Sequence, residues 1–241
     1  MRREAGTRSR HIPVELGPGQ YSRWFVVITA VFVTTLIVSN IVAVKIVDLW
    51  GLYVPAGTVT VFPLAYIFGD VLTEVYGYRR ARLVIWLGFA CNLLAVAAFA
   101  ATQYLPAAPF WDGQAAYERI LGYTPRLLVA SFLAYLVGEF ANAAVLSRLK
   151  LLTHGRLLWV RTIGSTLVGQ GLDSLVFVTV AFVGTLAGPD LVRTMVTAWL
   201  VKSAYEALAT PLTYLIVNGL KRAEGVDAYD YGVNLSPFRF D

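Results

Sequence analysis

Six long apolar runs fill most of the chain, and several of them carry charged residues near their middles. The runs are Trp24–Val47, Thr58–Tyr78, Leu83–Leu105, Leu127–Leu149, Leu158–Leu186 and Leu191–Leu220. About 20 helical residues cross a hydrocarbon core of ~30 Å, so each run is long enough to span a bilayer. Turn chemistry separates them at Trp50-Gly51, Pro55-Ala56-Gly57, Pro106 to Pro109 and Gly188-Pro189-Asp190. Only 15% of residues are charged and 57% are hydrophobic, whereas a soluble surface usually needs about a quarter charged. The predicted fold class is an all-α integral membrane bundle of about six transmembrane helices. It occupies residues 21–222, after a polar tail (1–20) read as disordered and before a C-terminal tail (223–241).

Basic residues set the expected orientation. Arg2, Arg3, Arg8, Arg10 and Arg23 precede the first run; Arg79, Arg80 and Arg82 follow the second. Arg148, Lys150, His154 and Arg156 follow the fourth, and Lys221 and Arg222 follow the sixth. The intervening loops are poor in Lys and Arg, so both N- and C-termini are expected in the cytoplasm. The pI near 9.4 then reflects topology, and no nucleic-acid partner is implied. The first run is too long for a signal-peptide core and lacks a small-residue cleavage site, so it reads as an uncleaved helix. Cys91 is the lone cysteine; neither a disulfide, a metal centre nor any cofactor is expected. The outer loop Pro106–Arg126 carries Trp111, Tyr117, Ile120, Leu121 and Tyr123, enough for a short interfacial helix or lid.

The polar residues inside the runs are the informative ones, because a charge at the bilayer centre costs about 2.5–3.5 kcal/mol even on lenient scales. They form helical ladders. Tyr66, Asp70 and Glu74 are four apart, as are Arg161, Ser165, Gly169 and Asp173, with Gln170 alongside; Lys202 and Glu206 continue from Ala198 to Thr210. Ala130, Ala134, Gly138 and Asn142 make a small-residue seam with Glu139 at its edge. Counting depth along the helices places Asp70, Asn92, Glu139, Gln170, Asp173, Lys202 and Glu206 near the middle third. Lys45 falls toward the outer surface, and Glu74, Asn142 and Arg161 toward the cytoplasm, where snorkelling suffices for Lys45, Glu74 and Arg161. Structural ion pairing, such as Lys202 with Asp173, competes with a binding role for any one residue, but the whole set outlines a midplane site. The fifth run, about 29 residues or roughly 43 Å of helix, either tilts or breaks at Gly169-Gln170-Gly171. Pro211 predicts a kink in the sixth.

Several segments resemble the YhhQ-type queuosine precursor transporters, a vitamin-uptake-like family. FPLAYIFGDVLTEVYGYRRARLVIW (Phe62–Trp86) is similar to that family's signature. So are Pro125–Ala143, Trp159–Phe177, Lys202–Tyr214 and the tail YDYGVNLSPF. The resemblance implies uptake of 7-cyano- or 7-aminomethyl-7-deazaguanine across the cell (cytoplasmic) membrane by a multi-pass carrier. Asn40, Tyr66, Asp70, Asn92, Glu139, Asn142, Gln170, Asp173, Lys202 and Glu206 are the candidate substrate-binding residues, and Glu74 with Arg161 a cytoplasmic gate or ion pair. A guanine-like edge presents adjacent N–H donors for a carboxylate (Asp173, Glu206 or Glu139) and a carbonyl suited to an amide or Lys202. The expected partners are a small deazapurine and the lipid bilayer; a homodimer and an energising subunit are both compatible with the sequence. Proton coupling through Asp70 or Glu139, facilitated diffusion, and a binding subunit of a multi-component importer stay open as drive mechanisms. An intramembrane hydrolase is disfavoured: Ser165, Ser174 and Asp173 have no membrane histidine as base, and the motifs of an aspartyl protease around Asp70 and Asp173 are missing.

Overall fold

The computed structural model describes residues 21–239 except 50–51, 123–124 and 185. The expected disordered tail 1–20 and the Trp50-Gly51 turn therefore lie outside the described residues. Eight helices and one small hairpin follow in order: α1 (Arg23–Val42), β1 (Ile46–Leu49), β2 (Leu52–Pro55), α2 (Ala56–Thr60), α3 (Phe62–Tyr76), α4 (Tyr78–Gln103), α5 (Gln114–Leu121), α6 (Pro125–Leu152), α7 (Leu158–Phe182) and α8 (Gly188–Glu224). Six of them, α1, α3, α4, α6, α7 and α8, build the bundle, as the apolar runs predict. Among the described residues, α1, α4, α6 and α7 are long and apolar enough to cross a membrane by themselves. α3 is only 15 residues, and the 37-residue α8 carries Lys202 and Glu206. Large apolar side chains such as Val26, Leu94, Leu208 and Leu215 face outward, while Phe32, Val71, Ile85 and Phe140 fill the core. A surface this apolar suits lipid.

Local chemistry explains most of the boundaries. The Ser22 hydroxyl accepts from the Phe25 N–H at 3.0 Å and caps α1. Proline opens the first turn of both α3 and α8, where its missing N–H is harmless. α8 runs on through Pro211 and stops at Gly225, whose φ is +68°. The Phe25 and Tyr76 rings meet edge-on at 5.1 Å, and the Tyr76 hydroxyl donates to Glu224 at 2.8 Å. The start of α1 and the ends of α3 and α8 therefore share one end of the bundle. An even number of crossings requires this.

Three expectations are corrected. The first run does not stay helical to Val47: α1 stops at Val42, and β1 pairs antiparallel with β2, Ile46 opposite Pro55 and Leu49 opposite Leu52. Hydropathy does not separate helix from strand, and β-branched residues favour the latter. Lys45 accordingly sits beyond the helix and is exposed, so it is no intramembrane charge. The fifth run does not break at Gly169-Gln170-Gly171; α7 is continuous and ends early, at Phe182. Arg126 caps that end, its Nε donating to the Val180 carbonyl at 2.7 Å. The interruption falls in the second run instead, at Val61 between α2 and α3, just ahead of Pro63. Within the Pro106–Arg126 loop, α5 is the short helix anticipated there.

The glycines of α6 and α7 serve contact. A Cβ on Gly138 would lie 2.8 Å from Asp173 Cβ, and one on Gly169 would lie 2.7 Å from Asn142 Cβ and 3.0 Å from the Gly138 carbonyl. The two backbones touch here, as small-residue seams allow.

The segment after α8 is a strap, folded back across the end of the bundle where α3 meets α4. Asp230 accepts the Tyr78 N–H through both carboxylate oxygens at 3.0 Å and the Ser147 hydroxyl at 2.6 Å. Tyr78 donates to the Leu235 carbonyl, Arg82 to those of Asn234 and Ser236, and Trp86 to that of Pro237. The α3–α4 corner turns on Gly77 at φ +83°, where a Cβ would come within 2.8 Å of Asp230. Only glycine suits that position.

Candidate functional site

Tyr66, Asp70 and Glu74 lie along one buried face of α3, and they divide between two clusters. The upper one surrounds a small cavity lined by Leu36 from α1, Ala65 and Tyr66 from α3, Tyr135, Gly138, Glu139 and Asn142 from α6, and Gln170 and Asp173 from α7. Its volume is about 10 Å³, room for about one water. Ligand pockets usually hold about 300–1,000 Å³. The site is thus shut in this conformation.

Around that cavity polar groups are bonded to each other only in part. Asn142 donates its amide nitrogen to Asp70 Oδ1 at 2.7 Å. The Gln170 side chain hydrogen-bonds the Tyr66 phenol. Lys202 pairs with Asp173. What remains is notable chemically: Asp70 Oδ2, Asn142 Oδ1, Gln170 Oε1 and both oxygens of Glu206 are buried without a hydrogen-bond partner in the protein. Buried polar atoms are seldom left so, because each costs about 1–3 kcal/mol. Asp70, Glu139 and Glu206 lie close enough for their charges to interact, and Glu139 also feels Asp173. Four carboxylates therefore share a region that holds one lysine, already bonded.

The lower cluster is a closed ion network. Glu74, fully buried, accepts from Arg161 through both oxygens (3.1 and 2.7 Å) and from Lys221 at 2.7 Å. Lys150 lies 3.6 Å away and bonds Asp227 at 2.6 Å, which Lys221 also reaches at 2.9 Å. Burial alone would raise the Asp227 carboxyl, but these two lysines outweigh it and hold it below the usual carboxylate range. Lys150 also sits 4.6 Å over the Tyr229 ring. Glu74 and Arg161 do not snorkel, as their position near the run ends suggests; they are sealed inside and satisfied by partners.

Asn40 and Asn92 form a separate pair. The Asn40 amide donates to Asn92 Oδ1 at 3.1 Å and joins α1 to α4; neither lines the cavity. Sequence reasoning missed five contributors. Tyr135 walls the cavity and donates to the Ile85 carbonyl at 3.0 Å, yet an aromatic in an apolar run carries no distinguishing signal. Lys150 and Lys221 read as topology markers. Asp227 and Asp230 read as tail, although two acids interleaved with Tyr229 and Tyr231 were a hint of docking.

A helical bundle with a lipid-suited exterior and unbonded polar oxygens at its centre fits a multi-pass membrane transporter. The chain belongs to the family described as "Putative vitamin uptake transporter", whose model matches residues 55–216. It is 32% identical over 177 residues to a "Probable queuosine precursor transporter" of Bacillus subtilis (strain 168), covering 73% of this chain and 77% of that one. It is 27% identical over 144 residues to the "Queuosine precursor transporter" of Escherichia coli (strain K12), covering 60% and 62%. A "Probable queuosine precursor transporter" of Haemophilus influenzae is 28% identical over 126 residues, 52% of this chain and 51% of its own. No solved structure matches. The family match takes in Asp70, Glu139, Asp173 and Glu206.

Proposed function

We propose that this protein carries queuosine precursors, 7-cyano- or 7-aminomethyl-7-deazaguanine, across the cell membrane into the cytoplasm. The observation that carries the reading is the group of unbonded acceptors on Asp70, Asn142, Gln170 and Glu206 beside the central cavity, in a chain whose relatives are named for that transport. A deazaguanine offers N1–H and a 2-amino group side by side, which a carboxylate accepts as a bidentate pair. Tyr66 and Tyr135 offer ring faces for stacking. No bond is made or broken in this scheme; the site binds and releases.

A ligand of this size requires the cavity to widen, so transport passes through a state in which the helices part. The Glu74 network ties α3, α6, α7 and α8 to the strap at the basic end of the bundle, and we assign it the inner gate. The same end carries Arg79, Arg80, Arg148 and Arg222 and is taken as cytoplasmic. Expression in a queuosine-precursor auxotroph, with tRNA queuosine measured after feeding each precursor, tests the function. Restored modification with the wild-type chain but not with Asp70→Ala is expected; no modification with either precursor would overturn it.

A further inference from the structure

The unbonded polar atoms around the cavity are uneven in kind. Asn142 Oδ1 and Gln170 Oε1 can only accept, and Asp70 Oδ2 and the two Glu206 oxygens accept when their carboxyls are ionised; the Ser174 and Ser203 hydroxyls add groups that do either. Among the described residues, no buried side-chain nitrogen on the elements that line the cavity is left wholly unbonded. The nearby lysine is engaged, since Lys202 gives its charge to Asp173. One turn further along α8, Glu206 is 1% exposed with neither oxygen bonded. With Glu206 ionised, a ligand that brings donors and positive charge completes this site.

This separates the two precursors. Their ring edges are the same, so Asp70, Asn142 and Gln170 meet both alike. They differ at the 7-position: an aminomethyl group is an ammonium with three N–H donors, whereas a cyano group is neutral and ends in an acceptor nitrogen. Facing a buried carboxylate, the first completes a charge-assisted hydrogen bond and the second leaves two acceptors opposed. We propose that the site selects the cationic aminomethyl-7-deazaguanine over the cyano form, and that Glu206 is the specificity-determining carboxylate that receives the ammonium. This rests on the deazaguanine reading above. Asp70, across α3 and in electrostatic reach of Glu206, holds the ring edge and adds to the same negative field.

The test is equilibrium binding to the full chain in detergent or nanodiscs, with three probes: 7-aminomethyl-, 7-cyano- and 7-hydroxymethyl-7-deazaguanine. The hydroxymethyl compound matches the aminomethyl one in size but has no charge. Wild type is expected to favour the aminomethyl probe by about 10- to 100-fold over both neutral ones, the span of one charge-assisted hydrogen bond. Glu206→Gln should bring the three affinities together, with the loss falling on the aminomethyl probe. Asp70→Asn should weaken all three, which distinguishes the ring contact from the charge contact. Equal wild-type affinities, or a preference that survives Glu206→Gln, would overturn the selection while leaving deazaguanine binding in place. If none of the three binds wild type, the deazaguanine reading falls and takes this inference with it.

Discussion

Asn142 on α6 donates to Asp70 on α3 at 2.7 Å, and this single bond leaves the second oxygen of the aspartate and the carbonyl of the asparagine both buried and unbonded. The pair is half of a hydrogen-bonding arrangement whose other half is absent from the protein. Asp70→Asn can keep an oxygen for the Asn142 amide but turns the unbonded acceptor into a donor that opposes the ligand's N–H groups. Uptake is expected to fall by more than about tenfold, in line with the penalty for mismatched buried groups, while membrane levels hold because a buried charge has been removed. Radiolabelled uptake beside quantitative blotting separates the two effects; transport at the wild-type rate would remove Asp70 from the site.

Glu74 should behave in the opposite way. Its carboxylate meets Arg161, Lys221 and Lys150 in a fully buried position, so Glu74→Ala strands three cations. Removing one member of a buried ion pair typically costs about 3–5 kcal/mol, and the variant is expected to lose stability in detergent well before Asp70→Asn does. Thermal unfolding of the purified variants decides the order. Lys221→Met, which leaves Arg161 and Lys150 on Glu74, should cost less.

Gly138→Ala is a test of the α6–α7 contact. Its new methyl would stand 2.8 Å from Asp173 Cβ and 3.2 Å from the Gly169 carbonyl, neither of which is a flexible side-chain tip. Overpacking of this kind costs about 1–3 kcal/mol, and it displaces Asp173 as well, so both stability and uptake should drop. Gly219→Ala is the control: nothing lies within 4 Å, and helix propensity favours alanine by about 1 kcal/mol. Equal melting temperatures for the two variants would refute the close contact.

Strap docking carries a pH signature. Asp227 is held below its usual range by Lys150 and Lys221 against the opposing effect of burial. A carboxyl depressed on folding adds stability above its unfolded pKa, near ~3.9, and loses it as pH falls through the folded value. Protection factors of residues 225–239, corrected for the intrinsic pH dependence of amide exchange, should therefore stay constant across neutral pH and fall only in acid below about pH 4. Asp227→Asn should abolish that acid-side change and lower protection at neutral pH toward the acid level. A transition near pH 7 would point to another group.

Much of the bundle was legible because its signals are one-dimensional. The i, i+4 ladders of α3, α7 and α8 needed only helical periodicity, and they placed Tyr66, Asp70, Gln170, Asp173 and Glu206 on buried faces. What stayed hidden depends on partners. That Lys202 takes Asp173 and leaves Glu206 unbonded is a matter of rotation and reach across two helices, and spacing along α8 is the same either way. The length of the fifth run left tilt or a break at Gly169 open; the use of that glycine is set by the α6 backbone opposite. The strap was least readable of all, since its bonds to Tyr78, Arg82 and Lys150 join residues that no local window contains.

That separation has a temporal consequence. Asp230 lies 152 residues downstream of the Tyr78 amide that it caps, and at about 5–20 residues per second a ribosome takes roughly 8–30 s to make the stretch between them. Through that interval the α3–α4 corner is already synthesised while Arg82 and the Tyr78 N–H wait for their acceptors on the strap. The nascent bundle must therefore be held open or shielded at its basic end, and a pause or premature stop before residue 227 would leave a protein that has inserted every helix yet never locked.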